Sequence, residues 1–320
     1  MVEVPRLPSL MSIRAFEAAA RLGNFAHASR ELDMSAASIS YHVRQLERQL
    51  GLILFVRYPQ RVELTEAGAL IAEEATSAFA SLRASFIRAT DLDQSRLSIT
   101  TLPTLGTSWL IPRLGRFRAD NPDIAVALDL SAEAQELGGG RFDAAIRNGH
   151  GKWPGLRAIR LFPSIFTPMC RPDLKAAAAD IVDPAAALDV PLLGRPDWWA
   201  IWYRALGASG TPDPGRFGTT FSAEHLDVAA ALAGHGIAIA SPILFHDEIE
   251  AGRLVAAHDL VASDGRSFWL VYPAVRESSP KLSRLRGWLE AEAEQARKAA
   301  SFAIMRAVIS ETDSTSATLE

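Results

Sequence analysis

The longest uninterrupted helical pattern in the chain lies between Thr65 and Thr90. This segment contains no proline, and its only glycine, Gly68, lies near its start. Apolar residues recur every three or four positions, which predicts one apolar stripe along a helix of about seven turns. A helix with a single apolar stripe requires a partner, either a neighbouring domain or the same helix of a second copy. The stripe consists of Ile71, Ala75, Ala78, Leu82, Phe86 and Ala89.

The composition is that of a folded protein. Of the 320 residues, 48% are hydrophobic and 22% are charged, which excludes disorder as the main state. At about 100–200 residues per domain, this length predicts two or three domains. The single cysteine, Cys170, excludes an intrachain disulfide and favours a reducing cytoplasm. The N-terminus lacks a signal-peptide pattern and no apolar run reaches about 18 residues, so we expect a cytoplasmic protein without membrane contact.

The first 64 residues predict a winged helix–turn–helix domain. Ser35 is a suitable N-cap for the third helix, and Gly51 is suited to the turn that ends it. Pro59 lies between two short β-prone runs, as expected for a hairpin. The predicted elements are helices over 10–22, 26–32 and 36–50, and strands over Ile53–Val56 and Arg61–Leu64. This part carries a net charge of +2, from eight arginines and six acidic residues, and leaves −6 for the rest of the chain. The basic balance favours an anionic partner here.

The third helix has two different sides. Its apolar residues Ile39, Val43, Leu46 and Leu50 share one narrow stripe and are expected to face the core. The other side carries hydroxyl, amide, imidazole and guanidinium groups, which can contact phosphates and base edges in a major groove. Small residues at the helix start would let the backbone approach DNA closely. A polar face that is merely solvated is the alternative. The candidate DNA contacts, with two arginines on the wing, are Ser35, Ala36, Ala37, Ser38, Ser40, Tyr41, His42, Arg44, Gln45, Arg48, Arg57 and Arg61.

From Leu97 onward, short apolar runs alternate with helical stretches. Predicted strands cover Leu97–Thr101, Ile124–Leu130, Ala144–Arg147, Ile165–Cys170, Pro191–Leu193, Ile237–Ala240 and Phe268–Tyr272. Predicted helices cover Thr107–Arg118, Trp199–Leu206, Glu224–Ala233 and Lys281–Ala299. This alternation favours α/β layers with largely parallel sheets. The polar segment 91–96 predicts a linker, and the Ser/Thr-rich segment Glu311–Glu320 predicts a frayed tail.

An ordered set of residues in the first domain is specific enough to suggest a family. The set is Leu10, Phe16, Phe25, Ala28, Leu32, Ser35, Ser40, Leu46, Glu47, Leu50, Gly51, Leu54, Phe55, Arg57 and the run Leu64-Thr65-Glu66-Ala67-Gly68. It resembles the N-terminal domain of the LysR-type transcriptional regulators. Later segments, such as WLIPRLGRFRADNPDI, FDAAIRNGHGKWPGL and AALAGHGIAIA, resemble the branch containing the glycine-cleavage activator and the β-lactamase regulators.

Two positions depart from the family pattern. His42 stands where family members usually have glutamine, and Ser29 stands where alanine is frequent. An imidazole cannot offer adenine the donor and acceptor pair of an amide in the same geometry. The operator sequence therefore does not carry over from the family, whereas DNA binding does, because phosphate contacts supply much of the affinity.

The resemblance implies an α+β multi-domain protein in three parts with a tail. These are a winged helix–turn–helix domain (1–64), a linker helix for dimerisation (65–93), an effector-binding domain (94–300) similar in fold to periplasmic solute-binding proteins, and a C-terminal tail (301–320). The chain would cross between two subdomains near residue 170 and return near residue 272, giving subdomain I at about 94–170 and 273–300 and subdomain II at about 171–272. Small-molecule effectors would bind in the cleft between them.

The residues themselves offer candidates for the cleft. Thr104 precedes a helix start where free N–H groups favour an anion, although Thr104 or Thr107 is equally suited to be an N-cap. Arg147, Asn148 and His150 end a strand and could supply polar contacts, and Arg147 could equally be a structural surface charge. Matched to the family, Ser222 falls near the cleft. The full set of effector-binding candidates is Thr101, Thr104, Arg147, His150, Trp198, Phe221 and Ser222.

No pattern for catalysis is present in the sequence. The seven histidines are scattered without HExxH, and neither a cysteine pair nor GxSxG occurs. We therefore expect no metal, no cofactor and no enzyme activity. The prediction is a cytoplasmic transcriptional regulator whose partners are double-stranded promoter DNA, a small-molecule effector with an anionic group as one candidate, and itself. Family resemblance suggests that two dimers associate. A solute-binding protein that uses only the α/β part is the alternative.

Overall fold

Three helices and a hairpin build the first of two units in the chain. The computed structural model describes residues 7–58, 61–90, 94–135, 137, 141–185, 190–208 and 214–309. The chain divides into Met1–Phe86 and Ile87–Glu320. The first unit contains α1 (Leu10–Leu22), α2 (Phe25–Glu31), α3 (Ala36–Leu50), β1 (Phe55–Arg57), β2 (Val62–Leu64) and most of α4 (Glu66–Thr90). The predicted turn residues Pro59 and Gln60 lie outside the described residues, as do linker residues 91–93.

Local sequence explains where these helices begin and end. The Asn24 side chain accepts a hydrogen bond from the Ala26 N–H at 2.7 Å and so caps α2. Ser35 caps α3 by accepting from the Ser38 N–H at 3.1 Å. Gly23 and Gly51 follow α1 and α3 with φ angles of 64° and 68°, the left-handed region that glycine adopts without strain.

The core of the first unit forms where α1, α3 and the hairpin meet. Ile39, Val43 and Leu46 are fully buried, as the stripe predicts. Leu50 does not join them, because 37% of its surface is exposed. Leu54 and Phe55, which follow the turn at Gly51, belong to the core instead, next to Phe16 of α1. The prediction for Leu50 was therefore wrong because a stripe on one helix does not show which neighbour covers its last turn.

The start of α4 is fixed to the segment before β1. Thr65 Oγ1 accepts a hydrogen bond from the Gly68 N–H at 3.0 Å and donates one to the Ile53 carbonyl at 2.8 Å. A Cβ on Gly68 would lie 2.2 Å from the Leu54 carbonyl oxygen. Only glycine permits this approach. The two contacts explain why threonine and glycine stand at these positions of the Leu64-Thr65-Glu66-Ala67-Gly68 run.

The apolar stripe of α4 divides into two parts. Ile71 packs on the core of the first unit and Ala75 is buried, so these two predicted dimer residues contact their own chain. Thr76 Oγ1 lies 3.4 Å from Glu17 Oε1 of α1, on the same side. The other members, Ala78, Leu82, Phe86 and Ala89, are exposed. The first part of the stripe therefore packs within its own chain, and the second part stays exposed.

The second unit is built on a mixed sheet. Its strands are β3 (Arg96–Thr101), β4 (Ala125–Leu130), β5 (Ala144–Gly149), β6 (Leu156–Cys170), β7 (Leu192–Leu193), β8 (Ile237–Ala240), β9 (Val255–Ala256), β10 (Val261–Pro273) and β11 (Ala307–Ile309). The order is β4-β3-β5-β10-β6-β8-β7, with β11 paired to β10 and β9 to β6. Pairs β3–β4, β3–β5, β7–β8 and β10–β11 are parallel, whereas β10 runs antiparallel to β5 and β6, and β6 antiparallel to β8 and β9.

The prediction of largely parallel sheets was therefore wrong, and the reason lies in two long strands. β6 pairs with β10 up to Phe166 and with β8 from Thr167, so it passes from one group of strands to the other. β10 pairs with β5 from Ser267 onward, which places the return crossing before residue 267 rather than near 272. The sequence predicts only the apolar second halves of these strands, because charged residues such as Arg160 and Arg266 interrupt the pattern.

The helices of the second unit cover both groups of strands. They are α5 (Pro103–Leu105), α6 (Ile111–Asp120), α7 (Pro196–Leu206), α8 (Glu224–Leu232), α9 (His246–Glu250), α10 (Pro280–Ala299) and α11 (Ser301–Arg306), with a π-helical turn, Gly106–Leu110, between α5 and α6. One core cluster includes Trp109, Phe162 and Leu285, and a second surrounds Trp199 and Trp202. Within the described residues, no helix is long and apolar enough to cross a membrane.

The C-terminal segment is ordered further than expected. Residues 301–309 form α11 and then β11, which lies parallel to β10 in register with Val261. The prediction of a tail from residue 301 was therefore wrong, because strand pairing, which sequence periodicity does not show, holds these residues. The predicted frayed tail Glu311–Glu320 lies outside the described residues.

Candidate functional site

The side of α3 opposite the core presents the predicted polar groups. Ala36, Ala37, Tyr41, Arg44 and Arg48 are exposed, and Ser38, Ser40, His42 and Gln45 are half-buried. Glu47 borders the same shallow groove as Tyr41 and Arg44. Its Oε1 accepts hydrogen bonds from the Leu54 and Phe55 N–H groups at 3.0 and 3.3 Å. The one carboxylate of this helix is therefore directed to the start of the hairpin.

Two contacts with α1 hold side chains at the edge of this polar face. Ser12, which is buried in α1, has its Oγ 3.4 Å from His42 Nδ1 and 3.4 Å from Gln45 Oε1. The Tyr41 and His42 rings pack edge to face with centroids 5.4 Å apart. His42 is thus oriented by its neighbours.

The hairpin contributes less positive charge than expected. Arg61 Nη2 lies 3.0 Å from Glu63 Oε1, and its guanidinium carbon lies 5.1 Å from the centre of the Tyr58 ring. Both charged side chains of the Arg61–Glu63 pair are exposed, so solvent screens the pair. The side chain of Arg57 lies outside the described residues.

A cavity of about 510 Å³ lies in the second unit, and four of the predicted effector contacts line it. They are Thr104, Arg147, Trp198 and Ser222. The volume is within the range of about 300–1,000 Å³ that is typical of small-molecule sites. Its walls include α5, which follows β3, the end of β5, the first turns of α7 and α8, and β10.

Three predicted contacts do not line the cavity. Thr101 is buried in β3 and donates a hydrogen bond to the Ile146 carbonyl at 3.3 Å. His150 is exposed beyond the end of β5. Phe221 packs against the hydrophobic core. Successive side chains of a strand point to opposite faces of the sheet, so a residue next to one that lines the cavity commonly points away from it.

Thr104 connects two elements of the second unit. Its Oγ1 accepts a hydrogen bond from the His225 N–H at 3.2 Å and lies 3.3 Å from His225 Nδ1. The hydroxyl therefore satisfies a free N–H group in the first turn of α8. Thr107 Oγ1 donates to the Pro103 carbonyl at 2.9 Å, so it is not an N-cap.

Arg147 is anchored to backbone and hydroxyl groups rather than to a carboxylate. Its Nη1 donates to the Ser131 carbonyl at 2.6 Å and its Nη2 to Thr100 Oγ1 at 2.9 Å. Burial lowers the pKa of Arg147, an effect that the charge of Asp129 opposes. No carboxylate among the described residues lies within ion-pair distance of this guanidinium, so its charge is available to a ligand in the cavity.

Asn148, which ends β5 with Arg147 as expected, also lines the cavity, but the sequence analysis missed four other polar residues of its lining. They are Gln135, Arg195, Glu224 and Arg266. Arg195 forms two hydrogen bonds with Asp197, at 3.0 and 2.5 Å, and lies over the Trp198 ring, which stacks on Phe166. Nothing in the local sequence shows that these side chains face one cavity, because they come from distant parts of the chain.

Two carboxyl groups in the first turn of α8 have raised pKa values. Burial raises the pKa of Glu224 from 4.5 to about 7, although its Oε1 accepts a hydrogen bond from the Ser241 N–H at 2.7 Å. Burial also raises the pKa of Asp227 from 3.8 to about 6. Both groups remain protonated in the folded chain at pH values where they ionise in the unfolded chain.

The stability of the second unit should therefore decrease as pH rises from about 4.5 to 7, since the folded state holds these protons more tightly than the unfolded state. Glu224→Gln should reduce this loss of unfolding free energy by about 1–3 kcal/mol. Its amide oxygen can still accept the hydrogen bond from the Ser241 N–H. Urea unfolding at several pH values measures the effect. Glu250→Gln, at the exposed end of α9, is the control and should leave the profile unchanged.

Two family descriptions match the chain. "Bacterial regulatory helix-turn-helix protein, lysR family" matches residues 10–69, and "LysR substrate binding domain" matches residues 90–294. The first covers α1 to the start of α4, and the second covers the unit that contains the cavity.

Curated relatives match over most of their own length. The glycine cleavage system transcriptional activator of Escherichia coli (strain K12) is 32% identical over 296 residues, which cover 90% of this chain and 95% of that protein. The transcriptional activator AmpR of Providencia stuartii is 33% identical over 294 residues, covering 91% and 98%. Both relatives belong to the branch that the sequence motifs indicate.

A solved structure resembles the second unit. The effector domain of the transcriptional regulator AmpR of Pseudomonas aeruginosa is 28% identical with a TM-score of 0.54, and covers 64% of this chain and 98% of that one. The matches to both family descriptions, the relatives above 30% identity and this structural likeness agree. The chain therefore belongs to the LysR family of transcriptional regulators.

Proposed function

We propose that this LysR-type regulator reads promoter DNA with the outward face of α3 and binds its effector in the cavity of the second unit. The observation that carries the proposal is the face of α3. It presents Tyr41, Arg44 and Arg48 on a capped helix whose only carboxylate is engaged elsewhere. Such a face fits the major groove, and the exposed N-terminal residues Ala36 and Ala37 allow close approach to a phosphate.

A gel shift with the DNA upstream of the protein's own gene tests this function. The full chain should retain this fragment in the presence of excess unrelated DNA, since specific binding is typically about 10³–10⁷-fold tighter than non-specific binding. The alternative is a solute-binding protein without a role in regulation, which we expect to bind both DNAs equally weakly. The match of residues 10–69 to the helix–turn–helix family favours the regulator.

Assembly is part of the proposal. We propose that the exposed part of the α4 stripe, Ala78, Leu82 and Phe86, pairs with its copy and forms a dimer, while Ile71 and Ala75 serve the core of their own chain. Two recognition helices can then reach two half-sites on one face of the DNA. The family resemblance suggests that two dimers associate. The regulator would work in the cytoplasm, where its promoter DNA lies.

The arginines of α3 and the hairpin should have different roles in DNA binding. Arg44→Ala should weaken operator binding by about 1–3 kcal/mol and relax the base preference at one position, if Arg44 contacts a base. Arg61→Ala should weaken binding to all DNA sequences alike, and by less than Arg44→Ala, because Glu63 already offsets the charge of Arg61. Fluorescence anisotropy at several salt concentrations measures both effects. Arg157→Ala, in the second unit, is the control, and equal affinity of all three variants would show that the DNA face is elsewhere.

Replacement of Thr104 should weaken effector binding but not DNA binding. Thr104→Val keeps the side-chain shape but leaves the His225 N–H without its acceptor, which should lower stability by about 1–3 kcal/mol and weaken effector binding. Affinity for the operator without effector should stay the same. Thermal unfolding and calorimetry with a compound that stabilises the wild type measure this. Thr107→Val removes a local contact only and is the control; equal ligand binding by Thr104→Val would place Thr104 outside the site.

We also propose that an anionic group of the effector lies against Arg147. The guanidinium faces the cavity with no carboxylate partner among the described residues, whereas Arg195 is held by Asp197. Asn148 and Gln135 line the same region and can supply further donors. A carboxylate or phosphate there would offset the charge that Arg147 brings into the protein.

A further inference from the structure

The cavity contains a second ionisable group without a counter-ion in contact among the described residues, and its charge has the opposite sign to that of Arg147. Glu224 lines the same cavity as Arg147, but from α8, whereas Arg147 comes from β5. The bond that fixes Glu224 is the one from the Ser241 N–H, which leaves the carboxyl facing the cavity. A buried carboxyl without a cationic partner is unfavourable when ionised, so a cationic ligand group would be favourable there.

The other charges near the cavity are already paired. Arg195 is held by Asp197 in two hydrogen bonds. Arg266 Nε lies 3.9 Å from Asp264 Oδ2. Among the described residues that line the cavity, Glu224 and Arg147 are therefore the two ionisable groups without a counter-ion in contact.

We propose that the effector is a zwitterion, with a cationic amino group that binds Glu224 and an anionic group that binds Arg147. Amino acids and short peptides are the chemical class that carries both groups on a small skeleton. The cavity volume of about 510 Å³ accommodates such molecules, and Trp198 and Phe268 supply apolar wall for a side chain between the two ends. This inference rests on the proposed effector site and adds the chemistry of the ligand.

Binding should change the protonation of Glu224. Burial raises the pKa of this carboxyl most, and Asp227 on the same helix raises it further. The Ser241 N–H and Arg195, just before α7, lower it. An incoming ammonium group favours the carboxylate form. Near pH 7 the ligand should therefore displace part of a proton from Glu224, which an anionic or neutral ligand would not do.

The experiment uses the full chain and a panel of common L-amino acids and di- and tripeptides in thermal shift. Each compound that raises the melting temperature is compared with its N-acetyl and C-amide derivatives, which remove one charge each. Both derivatives should bind at least about tenfold more weakly than the parent, because each leaves one buried charge unpaired. Failure of the whole panel to stabilise the protein, or equal affinity of the N-acetyl derivative, contradicts the proposal.

Glu224→Gln separates a binding role from a structural one. Its amide oxygen can still accept the Ser241 N–H, so the fold is retained. The variant should bind the parent compound about tenfold more weakly, bind the N-acetyl derivative as the wild type does, and show no proton release in calorimetry in two buffers of different ionisation enthalpy. Unchanged affinity for the parent would overturn the assignment. Specific DNA binding in the same preparation shows whether the proposed function stands independently of this result.

Discussion

Replacing Leu82 by glutamate should separate the dimer and abolish operator binding. Leu82 is 45% exposed and Phe86 is 65% exposed on α4, next to the part of the stripe that packs on the first unit. In a paired helix, Leu82→Glu would place two carboxylates in an apolar seam, where unpaired burial is costly. Loss of the second recognition helix would remove an effective-concentration gain of about 10²–10⁴-fold in affinity.

Sedimentation and anisotropy on the same samples measure this result. Ser81→Glu, on another exposed side of α4, is the control and should keep both the oligomer and the DNA affinity. The second unit should keep its stability and its ligand binding in both variants, since neither residue lies in it. An unaltered oligomer with unaltered DNA binding in Leu82→Glu would show that this part of α4 is not the dimer seam.

Asp143→Ala should destabilise the second unit by about 3–5 kcal/mol, because it removes a buried carboxylate that pairs with two buried cations. Asp143 precedes β5 and is almost fully buried, as are Arg276 and Lys281. Its carboxylate forms ion pairs with Arg276 and with Lys281, the latter at 3.1 Å, and accepts the Ser98 N–H at 2.7 Å. The three side chains thus join β3, β5 and the start of α10.

Tryptophan fluorescence in urea isolates this effect, since all seven tryptophans follow residue 86 and so report on the second unit alone. Asp123→Ala is the matched control. It removes an exposed ion pair with Arg284, 2.8 Å long, which should cost much less because solvent screens the pair. Equal destabilisation by the two variants would contradict a special role for the buried cluster.

The sequence predicted the elements that depend on local pattern. The buried positions Ile39, Val43 and Leu46, the Ser35 cap and the turn at Gly51 follow from spacing and from capping chemistry, and the structure confirms them. Four helices of the second unit, α6, α7, α8 and α10, and most of its strands were found for the same reason, since apolar runs of different period mark them. The family motif then identified the first domain, because its residues have to satisfy close contacts such as Gly68 against Leu54.

What the sequence did not predict depends on distant contacts. In the sequence, Glu224 is an ordinary acidic residue at the start of a helix. Only the fold places it in one cavity with Arg147. Thr104 and His225, 121 positions apart, meet for the same reason. The direction of β6 and β10, and the pairing of β11, likewise depend on which strands become neighbours. The lining of the cavity depends on such distant contacts, whereas the polar face of α3 depends mainly on local sequence.

DNase I footprinting of the full chain on the DNA upstream of its own gene tests the central claim most directly. We expect protection of two half-sites whose centres are about one helical turn, 10–10.5 base pairs, or a multiple of it apart, as two recognition helices of a dimer require. Arg44→Ala should lose this protection at concentrations where Arg157→Ala retains it. Absence of protection at moderate salt, or identical protection by the two variants, would contradict DNA reading by α3.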